Sequence, residues 1–138
     1  MIYVVIQFSA ILLLIVNANI NNINTYSLIL FIASTIIGVI AIINMKISNL
    51  NIVPELKDNH KLATNGIYKY IRHPMYTSVI LLCLGFLLTE ITTVNIIAML
   101  VLIIDLFLKS RLEEKLLEQR FNSYKDYKNS TYRFLPFI

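Results

Sequence analysis

YSLILFIASTIIGVIAIINM, residues 26–45, is a run of twenty residues without a single charge. At about 1.5 Å of rise per residue a helix of that length covers about 30 Å, the hydrocarbon thickness of a bilayer. Working outward, further apolar blocks occupy residues 1–16, 75–88 and 94–108. Together they bring apolar residues to 57% of the chain and leave only 14% charged, which excludes an ordinary soluble domain. A membrane β-barrel would alternate apolar and polar residues along each strand, and no segment does so. The sequence therefore predicts an all-α, polytopic membrane helix bundle with about four transmembrane helices. The last two blocks, of about 15 residues each, reach only about 22 Å as helices. They are expected to form a tight C-terminal hairpin extended by polar turns, followed by a cytosolic amphipathic tail.

The cations orient the bundle. Lys46, Lys57, Lys61, Lys69 and Arg72 lie between the second and third blocks, and the other seven, Lys109 to Arg133, follow the fourth. Cations are retained on the cytoplasmic side, so both termini and these segments are expected there, with the uncharged connection 17–25 and the turn 90–93 outside. The net charge of +4 is then a topology signal, and cations at membrane edges favour the lipid bilayer over nucleic acid as the partner. Residues 1–16 lack a basic residue ahead of the apolar run and a small-residue cleavage site, so a retained helix is expected and not a signal peptide. Residues 1–45 read as a two-helix membrane anchor and residues 46–138 as the functional core. The asparagine-rich turn NANINNINT reads as biased composition with little function. Cys83 lies alone in an apolar block and has no partner for an internal disulfide.

The longest polar stretch between apolar blocks is HKLATNGIYKYIRHPMY, residues 60–76. Asn65 and Gly66 mark a turn, and Pro74 suits the first turn of the third helix, where its missing N–H costs nothing. The free N–H groups of that helix start face Arg72 and His73, an arrangement suited to an anion. A short hairpin would bring this corner to Arg111, Glu113 and Glu114, just past the fourth block. Taken singly, each cluster has a plain reading: Arg and His anchor a helix at the headgroups, and Glu113 with Glu114 forms a solvated pair on a helix whose apolar side is Leu112, Leu116 and Leu117. Asp105, an acid in an apolar helix, is expected to face the protein interior with Lys109 as its i+4 partner.

The order of residues goes further. H-x-L-x-x-x-G-x-Y-x-x-x-R-H-P-x-Y, formed by His60, Leu62, Gly66, Tyr68, Arg72, His73, Pro74 and Tyr76, then a hydrophobic hairpin, then Leu112-Glu113-Glu114, resembles the isoprenylcysteine carboxyl methyltransferase and phospholipid methyltransferase family. Phe121, Tyr124, Tyr127, Arg133, Phe134 and Pro136 are similar to that family's tail. Ala63, Ser78 and Asn122 depart from the family's usual Val, Gly and Gly, at positions that concern packing and turns.

The resemblance implies methyl transfer from S-adenosylmethionine, bound on the cytosolic side, to a lipophilic acceptor. It carries cofactor contacts onto His60, Leu62, Ala63, Tyr68, His73, Pro74, Met75, Tyr76 and Glu113. Arg72, Glu114 and Arg111 are the expected catalytic residues, with Lys109 the alternative to Arg111 as the cation nearest the acceptor. No metal is required. A carboxylate acceptor needs no general base, whereas an amine must lose a proton, and Glu114 or His73 could then help. Two other readings stand beside this one. Sterol-type membrane reductases, which use NADPH, resemble the chain around R-H-P-x-Y but commonly have Asn where it has Met75. The second is a small membrane subunit whose charges only fix topology.

Overall fold

The computed structural model describes residues 1–45 and 62–135, so the expectation for His60 falls outside the described residues. The described residues hold five α-helices: α1 (Ile2–Val16), α2 (Thr25–Met45), α3 (Pro74–Thr89), α4 (Thr93–Arg120) and α5 (Tyr124–Asn129), with short 3-10 turns at Ile20–Asn22 and Gly66–Lys69. Among the described residues there is no strand, only one parallel bridge between Ile71 and Tyr132. α2 and α4 are long and apolar enough to cross a membrane, and α1 and α3 are shorter apolar helices.

The helix ends follow local chemistry. Asn24 and Ser27 cap the start of α2 reciprocally, Ser27 N donating to Asn24 Oδ1 (2.9 Å) and Asn24 N to Ser27 Oγ (3.0 Å). Pro74 is the first residue of α3, and Thr92 caps α4 by accepting from Asn95 N (3.2 Å).

The asparagine-rich turn has a definite task that composition did not suggest. Asn17 Nδ2 donates to Asn95 Oδ1 (3.0 Å), Asn19 N to Thr89 Oγ1 (3.1 Å), and Asn19 Nδ2 to Glu90 Oε2 (3.3 Å). Short amides thus join the α1–α2 turn to the α3–α4 turn.

α2 packs mainly on α3, and α1 on α4. Close approach of α2 and α3 depends on small residues, as it does in lipid, where apolar burial alone gives helices little reason to associate. A Cβ on Gly38 would lie 2.8 Å from Ser78 Oγ, and one on Gly85 would lie 2.5 Å from the Phe31 ring. Ser34 Oγ donates to Ser78 O (2.8 Å) and Ser78 Oγ returns a bond to Ser34 O (2.9 Å). The departure from the family at Ser78 is accommodated because its partner across the interface is a glycine. Ala10, Leu14, Cys83, Ala98, Met99, Leu102 and Leu106 form the buried core.

Large apolar side chains elsewhere point outward, among them Val5, Leu12, Ile32, Ile36, Val39, Ile97, Leu100 and Ile104. A surface so continuously apolar suits a bilayer and not water, so this is a helical membrane protein.

Beyond Leu108 the buried side of α4 changes character. Glu114 is buried while Leu112 is exposed, the reverse of the expected apolar stripe, because the elements packed there carry arginines. The described part of the tail folds back onto residues 70–73. Arg72 N donates to Tyr132 O (2.8 Å), His73 N to Arg133 O (3.0 Å), and Tyr132 N to Tyr70 O (2.9 Å).

Candidate functional site

The site is assembled from three pieces of chain: residues 62–76, the last turns of α4, and the tail. Gly66 fixes the first piece. Its φ of +59° is left-handed, and a Cβ there would fall 1.6 Å from Asn44 Oδ1, which accepts from Ile67 N at 2.7 Å. The end of α2 thereby holds the turn that delivers Tyr68, buried, and then Arg72 and His73.

Glu114 is the hub. Its side chain is 2% exposed and is met by Arg72 Nε (3.0 Å), Arg133 Nη2 (2.7 Å), His73 Nε2 (3.3 Å) and, more loosely, Lys128 Nζ (3.6 Å). Burial alone would raise its pKa. The hydrogen bonds from His73 and Arg133, with Arg72 beside them, outweigh burial and hold the carboxyl well below the usual carboxylate range. Arg72 is also committed to the tail, its Nη1 donating to Lys128 O (2.9 Å) and to Thr131 O.

Glu113 faces a different way. It accepts from Tyr76 Oη at 2.5 Å and lies 3.6 Å from His73 Nδ1, so each ring nitrogen of His73 faces one of the two acids. Burial raises the Glu113 pKa, an effect that His73 and the Tyr76 hydroxyl only partly offset. The His73 and Tyr76 rings stack with centroids 5.4 Å apart.

A cleft opens beside this network, lined by Met45, Leu62, Ala63, Tyr68, Arg72, His73, Leu117, Tyr124 and Tyr127. Two of its wall residues keep buried hydroxyls, Tyr68 Oη and Tyr124 Oη, that have no hydrogen-bond partner among the described residues. Burial raises the pKa of both, so they stand as neutral donors. Tyr127 Oη instead donates to Tyr68 O (2.6 Å), and burial pushes its pKa up to about 12.

Of the expected site residues, Leu62, Ala63, Tyr68, Arg72 and His73 share this cleft. Pro74 and Met75 form the adjoining start of α3, and Tyr76, Glu113 and Glu114 make the network behind His73. Arg111 stands apart, exposed, with its guanidinium over the Phe107 ring. Lys109 is the cation that faces inward: it is 2% exposed, lies over the Tyr76 ring at 5.2 Å, and donates to Gln7 Oε1 at 2.9 Å. The ammonium's hydrogen bond goes to the neutral amide that α1 brings, while Asp105, its expected i+4 partner, acts on it at longer range. Sequence reasoning gave Tyr124 and Tyr127 no role, although their place in the tail resemblance was a signal, and Gln7 carried no signal beyond being polar in an apolar block.

The sequence profile of the phospholipid methyltransferase family matches residues 22–124, which run from the α1–α2 turn to the start of α5. The chain is 38% identical over 93 residues to the protein-S-isoprenylcysteine O-methyltransferase of Dictyostelium discoideum, a match covering 61% of this chain and 36% of that protein. It is 32% identical over 87 residues to a probable protein-S-isoprenylcysteine O-methyltransferase of Oryza sativa subsp. indica, covering 59% and 44%. These matches span less than half the length of either relative. No solved structure gives a significant match. With three quarters of its length inside that profile, the chain belongs to the phospholipid methyltransferase family.

Proposed function

We propose that this protein is an integral membrane methyltransferase that takes a methyl group from S-adenosylmethionine and passes it to a lipophilic acceptor. The observation that carries this reading is the cleft, where Leu62, Ala63, Tyr68 and His73 meet Tyr124 and two hydroxyls are left unmatched among the described residues. An unsatisfied buried hydroxyl costs about 1–3 kcal/mol, so two in one cavity wall fit a ligand that brings acceptors to them. S-adenosylmethionine has such acceptors in its carboxylate and ribose oxygens, and its adenine suits tyrosine faces. When bound, it supplies a methyl group on a sulfonium that is its own leaving group.

The chain must then hold, align and keep out water. Tyr68 and Tyr124 would hold polar groups of the cofactor, and Leu62, Ala63 and Leu117 would exclude water around it. Glu113 and His73 lie where the reacting side of the cleft meets Tyr76. Arg72 and Glu114, bonded to each other and to the tail, act as positioning residues that fix His73. The family match and the names of both relatives favour methyl transfer over the reductase and subunit readings, and those names favour a carboxylate over an amine as acceptor. In this reading residues 46–138 form the cofactor core, with α1 and α2 bracing it through Gln7 and Asn44 as well as anchoring it. The four apolar helices all cross the bilayer, and the termini and cleft face the cytoplasm.

Calorimetric titration of S-adenosylmethionine into the full chain in lipid nanodiscs tests this, with saturable binding expected. Each of Tyr68→Phe and Tyr124→Phe should weaken it by about 1 kcal/mol, roughly five-fold. A wild-type chain that takes up no S-adenosylmethionine would overturn the proposal.

A further inference from the structure

One side of α4 faces outward along most of its length. Ile97, Val101, Ile104 and Leu108 follow one another at steps of three or four residues, share that face and are all exposed, which in this bundle means exposed to lipid. Arg111 and Lys115 continue the same spacing and are exposed as well. The stripe thus turns from apolar to cationic about 5 Å along the axis past Leu108, as a stripe does where hydrocarbon gives way to headgroups. Leu112, exposed between the two cations, keeps an apolar contact at the same level.

The three glutamates of this part of α4 are committed elsewhere. Glu113 accepts from Tyr76, Glu114 is held by Arg72 and Arg133, and Glu118 pairs with Lys128 Nζ at 2.8 Å. None of the ion pairs among the described residues includes Arg111 or Lys115. Two like charges at i and i+4 repel, and an anion placed between them relieves both. Arg111 is nevertheless held in place: its guanidinium lies over the Phe107 ring at 4.7 Å, and Arg133 lies over the same ring at 5.0 Å while bound to Glu114. A cation seated on a ring loses less freedom on taking a ligand than one on a free side chain.

We propose that Arg111 and Lys115 form a binding site for one anionic phospholipid. Its acyl chain lies along Ile104 and Leu108, and its phosphate is taken by the paired N–H donors of Arg111, with the Lys115 ammonium beside it. A choline headgroup would bring a second ammonium against Lys115, so the site takes a headgroup without a cation, such as glycerol. This assigns Arg111 to the membrane and not to methyl transfer, and it stands whichever reaction the cleft performs.

The test takes the full chain from micelles holding equal amounts of phosphatidylglycerol and phosphatidylcholine with the same acyl chains, and identifies the lipid retained on the protein by native mass spectrometry. Phosphatidylglycerol should be retained about ten-fold over phosphatidylcholine; Arg111→Gln and Lys115→Gln should each lower that to about three-fold, and the double variant to parity. Arg111→Lys, which keeps the charge without the paired donors, should keep part of the preference. Lys125→Gln, an exposed cation on α5 outside the stripe, should leave it within about two-fold. Inorganic phosphate at about 10 mM should displace no more lipid than sodium chloride of equal ionic strength. These are surface substitutions, so unfolding temperatures in zwitterionic micelles should stay within about 2 °C of the wild type, and a lost preference then reports binding and not folding. Equal retention of the two lipids by the wild type, an undiminished preference in the double variant, or as large a loss in Lys125→Gln as in Arg111→Gln would overturn the site. Displacement by inorganic phosphate beyond the salt control would overturn the assignment to a lipid.

Discussion

Replacing Glu114 with Gln keeps the shape of the side chain and removes its charge, leaving Arg72, Arg133 and Lys128 around a neutral amide. Breaking a buried ion pair by neutralising one partner costs about 3–5 kcal/mol, because the remaining charge stays desolvated. Here Arg72 is 8% exposed, but Arg133 is 19% and Lys128 37% exposed, so water can relieve two of the three cations. The amide oxygen can still accept from one guanidinium. The expected loss is therefore near the lower bound, about 3 kcal/mol, measured as unfolding free energy in mixed micelles. The acid branch of the stability profile is a second readout. Because the folded-state pKa of Glu114 is depressed, its contribution is fully present above the ordinary value of 4.5 and is lost as pH falls from there toward the folded value. Glu114→Gln should be destabilised at neutral pH and nearly level with the wild type at low pH. A loss under about 0.5 kcal/mol at pH 7 would mean that the acid is solvated, and would refute the hub.

Other substitutions probe separate parts of the site. Gly66→Ala places a Cβ on Asn44 in left-handed backbone and should cost about 2–3 kcal/mol of stability by thermal or denaturant unfolding, with cofactor affinity falling as Tyr68 shifts. Glu113→Gln, which gives the acceptor of the Tyr76 bond a competing donor, should leave stability within about 1.5 kcal/mol but weaken S-adenosylmethionine binding in the same calorimetric assay. Tyr127 has a raised folded pKa of about 12, so its contribution is fully present below 10 and lost as pH rises through 12; Tyr127→Phe should flatten that part of the alkaline unfolding profile.

What could be read in advance followed from what lipid demands of a chain. A span must be continuous and apolar, so the blocks at 26–45 and 75–88 anticipated Thr25–Met45 and Pro74–Thr89 almost to the residue. The motif likewise drew Arg72, His73 and the acid pair together before any contact was visible. Which way each side chain faces was not legible, because that is decided by partners far away in sequence. Gln7 and Lys109 are 102 residues apart, and Arg72 and Thr131 are 59 apart. Leu112 reads as core and Glu114 as surface until arginines from two other segments reverse them. The asparagine turn looked like composition because its acceptors, Thr89 and Glu90, belong to the opposite hairpin.

The two adjacent acids do different work because a helix turns by about 100° per residue. Glu113 continues the row Asp105–Lys109–Glu113, spaced by four, which looks toward α1 and Tyr76. Glu114 continues Leu106–Ser110–Glu114, a row that is buried throughout and ends among Arg72, Arg133 and Lys128. One row thus runs from the contact with α1 at Lys109 to the Tyr76 bond beside the cleft, and the other locks the corner that carries His73 to the tail. Both lie on a single 28-residue helix with no glycine or proline to interrupt it, so their relative position is fixed by helix geometry. His73 faces one acid from each row, Glu113 at Nδ1 and Glu114 at Nε2. It is therefore the side chain that couples the tail to Tyr76 and the cleft.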